Sequence, residues 1–82
     1  MRICIEESTY EGTSIEILTQ LRAMHFDADT FDGMEGYIRY MQNTIRRMTE
    51  QPCELPAGST EERATALIRV LGEIGALELL EE

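Results

Sequence analysis

The chain has 82 residues, 16 of them acidic against 7 basic, for a formal net charge of −9 at pH 7, and every base is an arginine. A chain this short hides only about 60–65% of its unfolded surface on folding, enough for one modest core and too little for a catalytic cleft between domains. The acidity argues against direct binding to nucleic acid or to an anionic membrane, which needs clustered Lys and Arg to displace counterions, and an apolar share of 43% argues against a disordered acidic tail.

Residues 2–6 alternate, with Ile3 and Ile5 on one face and Arg2, Cys4 and Glu6 on the other, the period-two pattern of a half-buried strand. Residues 8–12 read as a turn. Thr13-Ser14-Ile15-Glu16 then matches a capping box, in which a hydroxyl and a carboxylate satisfy orphan backbone N–H groups reciprocally. A helix over 14–25 follows, with Ile17, Leu18, Leu21 and Met24 as its buried stripe and His25 on its last turn.

A second helix is predicted over 31–49, capped by Thr30 or Asp32, with Asp32 and Glu35 at its positive end. Phe31, Met34, Ile38, Met41, Ile45 and Met48 follow one another at intervals of three and four, a seam with a period of about 3.5 residues. Gly33 and Gly36 each cost such a helix about 1 kcal/mol relative to Ala, so packing of the seam has to supply its stability. Gln51-Pro52 ends it, and residues 52–58, with two prolines and a glycine, read as a loop.

Ser59-Thr60-Glu61-Glu62 is a second candidate capping box, opening a helix over 60–74 whose buried face is Ala64, Leu67, Ile68, Leu71 and Ile74. Gly75 is placed to stop it as the first residue past the cap. Leu77 and Leu79 then set one face of a strand over 76–80, with Glu78 on the other. The order strand, helix, helix, helix, strand predicts a single α+β domain over 1–82, its two terminal strands pairing because an isolated strand cannot satisfy its backbone groups.

The chemistry-bearing residues support little catalysis. Asp27, Asp29, Asp32 and Glu35 invite a calcium reading, but an EF-hand loop wants acids at its first, third and fifth positions and Gly at the sixth. Here Phe31 holds the fifth and Gly33 the seventh, so helix capping accounts for these acids better. His25, Cys4 and Cys53 supply three zinc-ligand types without any chelating pair. The same three residues give a Cys–His nucleophile no positional support, and the absence of Lys rules out a phosphate loop of the GxxxxGK type. The expectation is a protein that is not an enzyme and carries no metal or cofactor. With no apolar signal-peptide region and no uncharged run of about 18 residues, it is also expected to be cytoplasmic, with Cys4 and Cys53 as buried thiols.

Surfaces are more informative. Segment 36–49 holds Arg39, Arg46 and Arg47 and no acid, so it is +3 within a chain of net −9 and leaves −12 for the remainder. Glu6, Glu7, Glu61, Glu62, Glu78, Glu81 and Glu82 lie near element ends, where they can present carboxylates to a basic protein partner over about a Debye length. The methionines of the seam read as core. Tyr37 and Tyr40 flank it and are the candidate contacts of a partner or of a homodimer, because Tyr combines apolar area with a polar tip. The candidate partner-binding set is therefore Glu61, Glu62, Glu78, Glu81, Glu82, Tyr37 and Tyr40.

Met1-Arg2-Ile3-Cys4-Ile5, Tyr10-Glu11-Gly12-Thr13 leading into Ile15-Glu16-Ile17-Leu18, Tyr37-Ile38, and Leu71-Gly72-Glu73-Ile74-Gly75-Ala76-Leu77 together resemble small acidic proteins encoded by phages and prophages. That resemblance implies an inhibitor acting in the host cytoplasm. Some proteins of this kind are anti-CRISPR proteins that occupy the nucleic-acid channels of bacterial defence proteins. The class has no shared catalytic motif, so the resemblance assigns no functional residue.

Overall fold

A computed structural model of the chain describes residues 1–24 and 33–81. Three strands, β1 (Arg2–Ile5), β2 (Ser8–Glu11) and β3 (Glu78–Glu81), form an antiparallel sheet in the order β2-β1-β3. Three helices, α1 (Ser14–Ala23), α2 (Gly33–Thr49) and α3 (Thr60–Glu73), pack against one side of it. The α+β architecture and the pairing of the terminal strands agree with the sequence reading, and no helix among the described residues is long and apolar enough to cross a membrane.

The main departure is β2, which falls within the stretch predicted as a turn. The turn is instead Glu6-Glu7, between the paired residues Ile5 and Ser8, and Glu6 holds a φ of 57° there. Two-residue hairpin loops need a left-handed residue, and Gly or Asn normally announces it. A Glu gives no such signal. Nor does the strand announce itself, because Ser8, Thr9 and Glu11 are exposed and Tyr10 alone packs on the core. Gly12 follows with a φ of +136° and no room for a side chain, since an added Cβ would sit 3.0 Å from the Glu16 Cβ. That glycine turns the chain from β2 into α1.

The cap at α1 forms as predicted: the Glu16 N–H donates to the Thr13 hydroxyl and the Thr13 N–H to the Glu16 carboxylate, both at 3.1 Å. At α3 only half of the predicted box exists. The Ser59 hydroxyl accepts from the Glu62 N–H at 3.1 Å, and the Glu62 carboxylate does not return the bond. Gly75, with a φ of 82°, ends α3 in a Schellman motif, in which the Ala76 N–H reaches the Leu71 carbonyl at 2.9 Å and the Gly75 N–H the Gly72 carbonyl at 3.3 Å. This motif consumes Gly75 and Ala76, so β3 begins at Glu78, two residues later than predicted. A bulge between its pairings with Arg2 and Ile3 leaves Leu80 exposed.

The core joins Ile3 of β1, Ile17, Leu18 and Leu21 of α1, Tyr37, Ile38 and Ile45 of α2, Ala64, Leu67, Ile68 and Leu71 of α3, and Leu77. The predicted seam of α2 holds only in part. Ile38 and Ile45 are buried and Met34 and Met41 half-buried, but Met48 is 66% exposed and Tyr37 is in its place at 1%. Tyr37 and Met48 stand three turns apart on the same side of α2, so that side is covered near the start of the helix and uncovered at its end. Phe31 and Asp32 at the predicted start of this helix, the caps suggested for it, and His25 and Asp27 to Asp29 lie outside the described residues.

Candidate functional site

Strand alternation fixes what the sheet shows to solvent. Ile3 is fully buried against the helices, so its neighbours Arg2 and Cys4 point the other way, and residues in register with them share that face. Arg2 lies opposite Glu11 on one side and Glu81 on the other, and its guanidinium reaches both, Nη1 to the Glu11 Oε1 at 3.4 Å and Nη2 to the Glu81 Oε2 at 2.8 Å. Cys4 lies between Thr9 and Glu78. The outer face thus carries three exposed carboxylates, Glu11, Glu78 and Glu81, across three adjacent strands, with one arginine at its centre. Glu6 and Glu7 extend it at the turn. Glu11 and Glu81 keep about two thirds of their side-chain surface exposed, so these ion pairs neutralise the face only in part and contribute about 0–1 kcal/mol each to stability.

The opposite charge collects on α2. Arg39, Arg46 and Arg47 are exposed, and with Tyr40 and Asn43 they line the side of the helix turned away from Ile38 and Ile45. The other four arginines are engaged within the chain. Arg2 bridges the sheet, Arg63 of α3 pairs with Glu35 of α2, and Arg22 and Arg69 also have partners. Among the described residues no carboxylate lies within ion-pair distance of Arg39, Arg46 or Arg47.

The predicted partner-binding residues divide three ways. Glu78 and Glu81 stand on the acidic sheet face, Glu62 is exposed on the first turn of α3, and Glu82 lies outside the described residues. Glu61 is structural. Its carboxylate accepts from the Ser14 N–H at 3.3 Å and from the Ser14 hydroxyl at 2.8 Å, while that hydroxyl lies 2.6 Å from the Thr65 hydroxyl, so the start of α3 supplies a cap to the start of α1. Ser14 is 2% exposed, which makes these bonds the satisfaction of a buried polar group. Tyr37 is a core residue and not a contact surface. Its phenol is pushed up to about 12 by burial, with a smaller contribution from Tyr40. Tyr40 stacks on it, ring centroids 6.3 Å apart, and keeps 37% of its surface in solvent.

Glu35 stands in the first turn of α2, as read from the sequence, and also joins α2 to α3, accepting from the Thr60 hydroxyl at 3.0 Å and pairing with Arg63. Glu11 and Arg2 escaped the sequence reading because β2 did. The usable signal was the alternation of Thr9 and Glu11 around Tyr10, which matches that of Arg2 and Cys4 around Ile3.

Cys4 and Cys53 are half-buried free thiols. Burial pushes the Cys53 thiol up, away from the reactive thiolate. A groove of about 320 Å³ runs between Ile5, Leu21, Met24, Tyr37, Met41 and Leu77, with the Tyr37 phenol as its one titratable side chain among the described residues. The described residues contain no group of three His, Cys, Asp or Glu side chains placed to hold a metal ion. The chain matches no protein-family model, no curated protein and no solved structure.

Proposed function

We propose that this chain is a non-enzymatic protein-binding module that offers the outer face of its sheet to a basic partner. The observation that supports this reading most directly is the placement of Glu11 on β2 and of Glu78 and Glu81 on β3, exposed on the two strands that flank Arg2 of β1. Strands lie about 4.8 Å apart, so Glu11 and Glu81, one on each side of β1, hold their backbone positions about 10 Å from each other on a fixed scaffold. The sheet fixes the backbone beneath these carboxylates, so binding has only their side chains to order, and their field steers a cationic partner to them. A basic, nucleic-acid-handling host protein fits that chemistry, since its channel is built to accept a row of anions. Occupying that channel is the inhibitory role implied by the resemblance to phage-encoded proteins, with the anti-CRISPR type as its most specific form.

The test uses an arginine-rich peptide as probe, because it isolates the electrostatic contribution. The triple variant Glu11→Gln, Glu78→Gln, Glu81→Gln is compared with a control of equal charge, Glu54→Gln, Glu62→Gln, Glu73→Gln, whose carboxylates are exposed elsewhere. Affinity should fall about tenfold or more in the sheet-face variant and by much less in the control, and wild-type binding should weaken steeply between about 0.05 and 0.5 M salt. Equal losses in the two variants would assign the binding to net charge and remove the face from the account.

A further inference from the structure

Arg39, Arg46 and Arg47 have no carboxylate within ion-pair distance among the described residues, and the same molecule displays a face of exposed carboxylates. We infer that the outer face of α2 docks on the acidic sheet face of a second copy, head to tail. This inference rests on the sheet-face reading above and names an occupant for that face when no basic partner is present.

Charge decides the geometry. A two-fold contact of α2 with α2 would set Arg39, Arg46 and Arg47 of one copy against the same arginines of the other, and a two-fold contact of sheet face with sheet face would oppose Glu11, Glu78 and Glu81 with themselves. Like charges brought into direct contact cost several kcal/mol, so both symmetric dimers are disfavoured. Only the unlike pairing, helix face to sheet face, is complementary. Each side also offers apolar area beside its charges: Tyr40 and Met48, 37% and 66% exposed, on the helix, and Leu80, 44% exposed, at the bulge of β3. Arg39 and Arg46 stand seven residues apart, about 10.5 Å along the helix, which spans the width of the three-stranded sheet. The overall charge of −9 opposes association at long range, but at about 0.1 M salt charges more than about 10 Å apart are largely screened and the contact pairs dominate.

A heterologous contact does not close at two copies. Each dimer keeps one free helix face and one free sheet face, so growth continues with concentration. Sedimentation at about 0.1 M salt should therefore give a wild-type mass that rises with concentration without levelling at the dimer. The variants Arg39→Gln, Arg46→Gln, Arg47→Gln and Glu11→Gln, Glu78→Gln, Glu81→Gln should each be monomeric, because each lacks one half of the contact. Mixed one to one, they should form a dimer and nothing larger, since the first supplies only a sheet face and the second only a helix face. Circular dichroism of each variant checks that the fold is intact.

A wild type that stays monomeric at the highest attainable concentration would overturn the inference. So would a wild-type mass that levels at the dimer, or variants that associate as the wild type does. If the wild type is monomeric while the sheet-face variant still loses the arginine-rich peptide, self-association falls and the proposed function stands. If the peptide ignores the sheet face but the mixed variants pair, the reverse holds.

Discussion

Tyr37 and Tyr40 stand three residues apart on one helix, and the core takes the first at 1% exposure while leaving the second at 37%. The same division runs along all of α2. Its inner face, Tyr37, Ile38 and Ile45, is held by β1, α1 and α3 through the shared core, whereas its outer face, Arg39, Asn43, Arg46 and Arg47, has no carboxylate near it among the described residues. What separates the two faces is where their free energy is realised. Removing apolar surface from water stabilises the fold whether or not a partner exists. The exposed arginines contribute far less: Arg46 and Arg47, in the last turn of α2, complement the helix dipole by about 0.3–1 kcal/mol each.

Perturbing the two faces should give effects of very different size. The largest belongs to the inner face: Ile38→Ala removes a fully buried side chain at the centre of the core and should cost about 2–5 kcal/mol in chemical denaturation, enough to unfold much of a domain this small. Tyr37 gives the inner face a pH signature. Its phenol loses its proton near 10 in the unfolded chain and only near about 12 in the folded one, so above pH 10 the unfolded state binds fewer protons than the native state. Stability should therefore fall as pH rises from about 10 toward 12, and in Tyr37→Phe the decline over that window should be much shallower in alkaline denaturation curves.

A smaller effect lies where α2 ends. Glu50 takes a φ of 58°, a left-handed conformation that costs a side-chain-bearing residue about 1–2 kcal/mol and costs glycine little. Part of that relief is offset by the greater freedom of glycine in the unfolded chain, so Glu50→Gly should stabilise by up to about 1 kcal/mol and raise the melting temperature by a few degrees. The outer face should also give a small effect. Changing Arg39, Arg46 and Arg47 together to Gln should cost no more than about 1–2 kcal/mol of unfolding free energy, from the helix dipole, while abolishing self-association. A loss of several kcal/mol in that variant would mean that the arginines hold the fold and would erase the distinction between the two faces.

How much of this could be read from the sequence follows from where the signals are local. The Thr13 and Glu16 cap, the buried stripe of α3 and the stop at Gly75 are written within a few residues, and each forms as read. β2 is not, because its turn uses a left-handed Glu6 where glycine would be the signal, and its only anchor is Tyr10. The acidic site was half legible for the same reason. Glu78 follows from the alternation of the C-terminal strand, but Glu81 lies past the predicted strand and reaches the same face only through the bulge, and Glu11 joins them only once β2 is paired with β1. Glu61 shows the converse limit. In sequence it is one more exposed acid at a helix start, and only the packing of α3 against α1 brings it to Ser14, 47 positions away. Tyr37 shares a side of α2 with Met48, and residue spacing fixes that side without saying where along the helix its neighbours cover it.

The proposed function requires the sheet face to act as a specific anionic surface and not as a share of a diffuse negative charge. The most direct measurement is the affinity of an arginine-rich peptide for the two charge-matched variants, Glu11, Glu78 and Glu81 changed to Gln against Glu54, Glu62 and Glu73 changed to Gln, at one fixed salt concentration. Both variants raise the net charge from −9 by the same amount. The account predicts a loss of about tenfold or more in the first and a much smaller loss in the second. Equal losses would contradict it.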